Sequence, residues 1–465
     1  MIRLKEKIKS WMGPLWWYAV VMFIVQRIGD VMNIYTGLWL IPKWVPQEQL
    51  GALLPLGQIG SLLGLPLAIT LMPFTKFINT FGAKGEYGKV KALLFDALLL
   101  TGASSFVIGA YTWVSAPHVF DRLRIDQTGI VWLLCVLSVF SVMMPLLNSA
   151  LQALKQFRCI SVIGLVSAPV RLIVLFVMLP LSGLLGYFAA QVMLCVVSIG
   201  IATRGLKIAL SGTTRRESYS VHFREMLLYV LPVAMFMAVG CLSTTVQFFI
   251  VRQRLPDVES AAFYFGSRFS EIPNMLWSSV AIIYFPVVSE AFEKGKNTSR
   301  MLVQTLVVTV LGGGVVAVCL GFGVEKFFGM VAKWRSYQPY AYLVFWMAMT
   351  NVFRVAYACF STHEMACRRF GFLLYSLPLA LLESGALVSL TGYTFFEPYV
   401  PSSWIGWMAS LRAARLEFIV VFMLCIAGLQ FLGILVQMSV RSLAARATGR
   451  LNGCPATPPE KKEPM

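Results

Sequence analysis

The chain has 465 residues, of which 58% are hydrophobic and only 13% are charged, and its mean hydropathy is +0.74. Soluble proteins carry roughly 25% charged residues, so this composition excludes a soluble globular enzyme or binding domain. The net charge of +18 does not indicate a nucleic-acid partner, because basic residues of membrane proteins concentrate in cytoplasmic loops.

Twelve apolar stretches are long enough to cross a hydrocarbon layer of about 30 Å, which takes about 20 residues. Three of them, Met226–Ile250, Leu302–Val324 and Phe418–Val440, contain no charged residue. The first stretch follows a basic start but is too long for a cleaved signal peptide. The predicted spans are 13–41, 51–75, 92–115, 129–152, 159–181, 184–203, 226–250, 261–289, 302–324, 338–360, 371–392 and 418–440.

The charges and lengths of the loops predict how the chain is oriented in the membrane and where it divides into two halves. Placing the N-terminus in the cytoplasm puts most loop lysines and arginines on the cytoplasmic side, as the positive-inside rule requires. An even number of spans then places both termini in the cytoplasm. The longest cytoplasmic loop divides the chain into an N-terminal six-helix bundle (1–206), a linker (207–225), a C-terminal six-helix bundle (226–450) and a disordered tail (451–465).

The two halves share spacings at an offset of 209–210 residues. Pro46 and Lys84 in the first half match Pro256 and Lys294 in the second. Such a repeat predicts an all-α integral membrane protein whose bundles are related by a pseudo-two-fold axis along the membrane normal, with substrate bound between them. Further along the chain, Ser167, Pro169 and Gly183 match Ser376, Pro378 and Gly392.

Four arginines, Arg27, Arg171, Arg268 and Arg354, fall inside predicted spans. A charge at mid-bilayer costs about 2.5–3.5 kcal/mol, so each must face water, pair with an acid or lie near an interface. The guanidinium group binds phosphate bidentately and stays charged when buried. This excess of arginine indicates an anionic substrate, and we expect the four arginines to take part in binding and translocation.

A polar stripe marks the first span. Gln26, Asp30 and Asn33 follow i, i+4, i+7 spacing, with Arg27 beside them, so they share one helix face. The stripe is interpreted either as part of a translocation path or as an Arg27–Asp30 pair that only holds helices together.

Arg268 and Glu271 repeat the arginine–acid spacing on the eighth span, near its start, where an interfacial position is the alternative to a functional one. Arg171 has no acid nearby in sequence, so its partner must come from another helix or from the substrate. Arg354 is similar, and Glu383 could pair with an arginine across the cavity or titrate. The carboxylates that could couple transport to a proton or Na⁺ gradient are Asp30, Glu271 and Glu383.

No metal or cofactor site is expected. The nine cysteines include no C-x-x-C pair, and the three histidines are far apart. The segment Gly82–Val90 lacks the spacing and the Ser/Thr of a phosphate-binding loop, so no ATP-hydrolysing module is expected.

Several segments together resemble polysaccharide flippases of the multidrug/oligosaccharidyl-lipid/polysaccharide superfamily. They are Arg27–Gly29 (R-I-G), Trp44–Gly51 (W-V-P-Q-E-Q-L-G), Phe81–Val90 (F-G-A-K-G-E-Y-G-K-V) and Leu147–Phe157 (L-N-S-A-L-Q-A-L-K-Q-F). The resemblance implies two six-helix bundles arranged as a V, alternating access without ATP, and a cationic central cavity.

It also implies a function: translocation of undecaprenyl-diphosphate-linked oligosaccharide across the bacterial inner membrane for surface polysaccharide synthesis. The expected partners are this anionic lipid, membrane lipids and a polysaccharide polymerase, and the protein is expected to be a monomer without nucleic acid.

Three alternatives remain open. A cation-coupled multidrug exporter of the same superfamily would need acids facing the cavity. A flippase for the peptidoglycan precursor would have two further helices. A membrane-embedded glycosyl- or phosphotransferase would need paired acids for a metal, and the loop acids do not have compact spacing. We expect a transporter and not an enzyme. The loop acids in question are Asp121, Asp126, Asp257 and Glu259.

Overall fold

The computed structural model describes residues 27–123, 129–154, 156–211, 217, 223–293, 297–390 and 416–447, and the regular structure within them is helical. Helix α1 spans 27–44 and contains a π turn at Thr36–Leu40. The remaining helices are α2 (Gln47–Leu50), α3 (Leu53–Ala83), α4 (Tyr87–Leu123), α5 (Gly129–Ala153), α6 (Phe157–Ala209), α7 (Phe223–Arg254), α8 (Asp257–Glu293), α9 (Ser299–Met330), a 3-10 segment (Ala332–Tyr340), α10 (Ala341–Ala366), α11 (Leu373–Leu390) and α12 (Leu416–Ala447).

Helix α6 is a hairpin of two limbs. Its 53 residues would extend far beyond a bilayer if straight, but Gly183 has a non-helical backbone (φ 52°, ψ −123°) that reverses the chain. The Cys159 thiol consequently lies 3.6 Å from the Ile201 carbonyl oxygen. With the two limbs counted separately, the described residues contain twelve long helices, which confirms the predicted fold class.

Seven stretches of the described chain are long and apolar enough to cross a membrane by length and composition, and the α6 hairpin counts as one of them. Most helices extend several residues beyond the predicted spans, because a helix continues past the apolar layer where polar side chains cover it. The predicted residues 13–26 of the first span, and the tail 451–465, lie outside the described residues.

Pro46 and Pro256, which the sequence repeat aligns, occupy equivalent places. Pro46 precedes α2 and accepts a hydrogen bond from the Leu50 amide (3.1 Å), and Pro256 precedes α8 and accepts one from the Ser260 amide (2.9 Å). Proline is favoured at such helix starts because its missing N–H would be unpaired there. Of the other repeated positions, Lys294 and Gly392 lie outside the described residues.

One hydrophobic core joins the two halves of the chain at the end of the molecule where α1, α2 and the start of α8 meet, which we call the α2 end. This core contains Leu40 and Leu50 from the first half together with Phe265 and Phe328 from the second. At the opposite end, the buried apolar residues form two separate cores, one from each half. Among the side chains that the structure describes, the halves therefore share an apolar core at the α2 end and none at the other, although α3 of the first half also packs against α7 of the second.

Polar contacts strengthen the α2 end. The Lys333 ammonium group donates to the carbonyl oxygens of Pro42 (2.9 Å) and Lys43 (3.3 Å), so it caps the C-terminus of α1 from the second half. The indole of Trp39 packs edge-on against Trp334, with ring centroids 5.0 Å apart. At Gly51, a Cβ atom would lie 2.2 Å from the Ser260 hydroxyl oxygen, so glycine allows α2 to approach α8.

We predict that Gly183→Ala destabilises the protein by about 1–3 kcal/mol, because a β-carbon is disfavoured at φ 52°. Gly200→Ala is the matched control, since neither glycine has a neighbouring atom within 4 Å of a built Cβ but Gly200 is helical. Thermal unfolding in detergent measures the difference. Equal melting temperatures for the two variants would contradict the prediction.

Candidate functional site

A cavity of about 310 Å³ lies between α1, the two limbs of α6 and α8, close to the shared core at the α2 end. It is therefore built from both halves of the chain. Its lining residues are Asp30, Asn33, Ile34, Gly37, Leu38, Ile41, Arg171, Tyr187, Arg268, Glu271, Asn274 and Met275.

Arg171 enters the cavity from the first limb of α6. Its Nη1 donates a hydrogen bond of 2.8 Å to the Asn33 side-chain oxygen on α1, and the guanidinium lies 6.0 Å from the Tyr187 ring centroid. Its Nε is buried and makes no hydrogen bond. Among the described residues, no carboxylate lies within ion-pair distance of Arg171, so a neutral amide and an aromatic ring hold its charge in place.

Arg268 enters from α8 as a pair with Glu271. Its Nη1 donates to both carboxylate oxygens of Glu271, at 2.9 and 3.1 Å, and the guanidinium lies 5.3 Å from the Tyr264 ring centroid. The aliphatic part of the arginine packs on Gly37, whose built Cβ would be 3.4 Å from Arg268 Cδ. Its Nε is also buried without a hydrogen bond.

Arg27 lies beside the cavity and connects two of its walls. Its Nη2 forms a 2.9 Å ion pair with Asp30 on the same helix and donates a hydrogen bond to the Met275 carbonyl oxygen on α8. Asp30 and Met275 line the cavity, whereas Arg27 itself does not. Arg27 therefore connects α1 to α8 in addition to neutralising Asp30.

The charges around the cavity do not cancel. Three arginines (Arg27, Arg171 and Arg268) and two carboxylates (Asp30 and Glu271) are present, and the carboxylates pair with Arg27 and Arg268. One positive charge, that of Arg171, remains without a counter-charge in this group. Such a site attracts an anion, and two arginines with buried, unbonded Nε groups supply further donors for one.

The π turn of α1 shapes the wall of the cavity. In this turn the Ile41 amide bonds to the Thr36 carbonyl, five residues back. The same register would pair the Gly37 carbonyl with residue 42, but Pro42 has no N–H. The Tyr264 hydroxyl supplies the missing donor, at 3.1 Å from the Gly37 oxygen. A backbone group freed in one half is thus satisfied by a side chain from the other.

Arg354 and Glu383 lie elsewhere, in a network between α7, α10 and α11. Arg354 Nη2 is 3.0 Å from Glu383 Oε1, and neither residue lines the cavity. The partner of Glu383 is thus an arginine of its own half of the chain and not one across the cavity. Of the four arginines predicted to bind substrate, Arg171 and Arg268 line the cavity and Arg27 is adjacent to it. Arg354 is separate, because α10 presents it to α7 and α11.

Sequence reasoning did not identify Tyr187, Tyr264 or Asn274. A signal existed for two of them, because Tyr264, Arg268, Glu271 and Asn274 follow one another at helical spacing on α8. Tyr187 gave no signal, since its position opposite Arg171 depends on the reversal of the chain at Gly183. Among the described residues, no three His, Cys, Asp or Glu side chains lie close enough together to hold a metal ion.

Solved structures that resemble this chain include MATE transporters. An inward-facing multidrug resistance MATE family transporter of the MOP superfamily matches with a TM-score of 0.63 at 12% identity, covering 91% of this chain and 99% of that one. A MATE protein in the straight conformation matches with a TM-score of 0.63 at 13% identity, covering 92% and 96%. A MATE transporter in complex with Rb⁺ matches with a TM-score of 0.55 at 14% identity, covering 92% and 93%.

At these identities the likeness establishes the fold, and the chain has a MATE-like transporter fold. No protein-family model matches the sequence, and no curated protein matches it.

We predict that Tyr264→Phe lowers stability by about 1–3 kcal/mol, because it leaves the buried Gly37 carbonyl without a donor. Tyr111→Phe is the control, since the Tyr111 side chain is 63% exposed. Thermal unfolding in detergent compares both variants with the parent protein. A Tyr264→Phe protein as stable as the control would mean that the hydroxyl does not satisfy this carbonyl.

Proposed function

We propose that the protein is a membrane transporter that moves an amphiphilic, anionic substrate by alternating access, and that the cavity between α1, α6 and α8 binds the charged part of that substrate. The observation that carries the proposal is the charge of Arg171, which Asn33 and Tyr187 hold and which no carboxylate of the described part of the chain compensates. A positive charge inside a membrane span without an ion partner is expensive, and an anionic substrate would compensate it during transport.

The distribution of the cores supports alternating access. Among the described side chains, the halves share one core at the α2 end and have separate cores at the other end. We therefore infer that the halves part on the side away from the α2 end, where α3 and α7 would have to separate. The positive-inside prediction makes that side cytoplasmic. The cavity would then receive its substrate from the cytoplasm and release it outward after the halves rock.

The favoured substrate class is a lipid-linked oligosaccharide with a diphosphate group. Arg171 and Arg268 present planar guanidinium groups that suit bidentate phosphate contacts, and each packs on a tyrosine ring that limits its motion. Sequence segments resembling polysaccharide flippases support the same class. In this proposal the protein acts in the bacterial inner membrane and serves surface polysaccharide synthesis.

The second candidate is cation-coupled export of multiple drugs, and the comparisons favour it at least as well. Structures with the same fold include a protein named as a multidrug resistance transporter. Asp30 and Glu271 also line the cavity, and either carboxylate could serve a cationic drug or a coupling ion if it separated from its arginine. The two candidates differ in the sign of charge that the cavity prefers.

Asn33→Asp tests that sign with a nearly isosteric change. The new carboxylate would lie about 2.8 Å from Arg171 Nη1 and would cancel the excess charge. For the proposed function, we expect binding of a polyprenyl-diphosphate sugar to the purified protein to weaken at least tenfold, a difference of about 1.4 kcal/mol. Arg171→Ala should weaken the same ligand comparably. Tryptophan fluorescence or thermophoresis measures the affinity.

Asn297→Asp is the matched control. Asn297 is exposed, and its side-chain oxygen accepts a bond from the Ser299 amide that aspartate retains, so binding should not change. If the parent protein bound tetraphenylphosphonium but not the diphosphate lipid, and Asn33→Asp strengthened that binding, the anionic function would be wrong and the drug-export candidate would replace it.

A further inference from the structure

The network around Glu383 lies in the second half of the chain, away from the cavity. Glu383 is 2% exposed and Gln247 is fully buried. Ser243 and Gln247 reach it from α7, and Arg354 reaches it from α10. A carboxylate buried in this way needs a positive partner, because an isolated charge in an apolar interior is strongly destabilising.

The hydrogen bonds form a closed set in which each acceptor is used. Glu383 Oε2 accepts from the Ser243 hydroxyl at 2.5 Å. Glu383 Oε1 accepts from Gln247 Nε2 at 2.6 Å and from Arg354 Nη2 at 3.0 Å. The Gln247 side-chain oxygen, in turn, accepts from Arg354 Nη1 at 3.4 Å. The guanidinium is therefore the cation of this network and donates to both Glu383 and Gln247.

Without Arg354, the same side chains would form a set of oxygen ligands: two carboxylate oxygens, a hydroxyl and an amide carbonyl. Hard cations such as Na⁺ prefer ligands of this kind. One structure with the same fold is a MATE transporter in complex with Rb⁺, so a monovalent cation is a reasonable ligand to test against this chain. The residues around Glu383 do not fit a bound monovalent cation, because the Arg354 guanidinium already pairs with the Glu383 carboxylate.

We propose that Arg354 is a built-in substitute for a bound alkali cation at Glu383, so that the second half of this protein is complete without Na⁺ or K⁺ and replacing Arg354 creates an alkali-cation site. The proposal rests on the geometry of the second half and does not depend on the proposed substrate. It also removes Glu383 from the carboxylates available for coupling to an alkali-ion gradient.

The experiment measures thermal unfolding of the purified protein in detergent while NaCl replaces choline chloride at constant ionic strength. We expect the parent protein to melt at the same temperature in both salts. We expect Arg354→Gln to melt lower in choline and to recover by about 3 °C or more with a saturable dependence on Na⁺, as for a ligand that binds only the folded state. The double variant Arg354→Gln/Glu383→Gln lacks the carboxylate and should not respond to Na⁺.

Three results would overturn the proposal. One is a folded Arg354→Gln protein that melts equally in Na⁺ and choline. Another is an Arg354→Gln protein that fails to fold in either salt while the double variant folds, since the free carboxylate then does not accept the ion. The third result does not require the single variant to fold. If Na⁺ stabilised the parent protein saturably but did not stabilise the double variant, an ion would bind beside Arg354.

Discussion

An arginine inside a membrane must be compensated, since neither lipid nor a packed helix interior solvates its charge. The four arginines inside the predicted spans meet that constraint in different ways. Arg27 and Arg268 pair with carboxylates one turn away on their own helices, and Arg354 pairs with Glu383 on a neighbouring helix. Arg171 alone of the four is held by an amide and a ring. These compensating groups leave the cavity with a positive charge.

The α2 end closes one side of the cavity in this structure. Its shared core, the Lys333 cap on α1 and the Tyr264 bond to Gly37 hold α1 against the second half. Each of these polar contacts uses a backbone carbonyl of α1 as its acceptor, and such contacts satisfy groups that the helix itself leaves open. The joint between the halves therefore depends on the irregularity of α1. A straight α1 without Pro42 would leave Tyr264 without this partner.

Hydropathy predicted the twelve helices because a lipid environment requires every backbone polar group to be bonded within the helix. The break in α6 was also predicted, at the point where Gly183 reverses the chain. The Arg27–Asp30 and Arg268–Glu271 pairs were readable at i, i+3 spacing. The bond from Arg171 to Asn33 and the pair of Arg354 with Glu383 were not, because they join residues 138 and 29 positions apart. Such pairs depend on how each helix is rotated about its axis and on which helix lies beside it. The local periodicity of a sequence indicates neither the rotation nor the neighbour.

The similarity to MATE structures concerns the arrangement of the helices. The sign of the charge that the cavity prefers depends instead on individual side chains. At 12–14% identity, a shared fold preserves the location of a cavity between two halves far better than its chemistry. A single side chain can decide the sign here, because the paired charges of Arg27, Asp30, Arg268 and Glu271 cancel and Arg171 is the remainder. Arg171 and its partner Asn33 both belong to the first half, whereas Arg268 belongs to the second. An anion bound between Arg171 and Arg268 would therefore lose one of its two partners when the halves part, which relates release of the substrate to the movement itself.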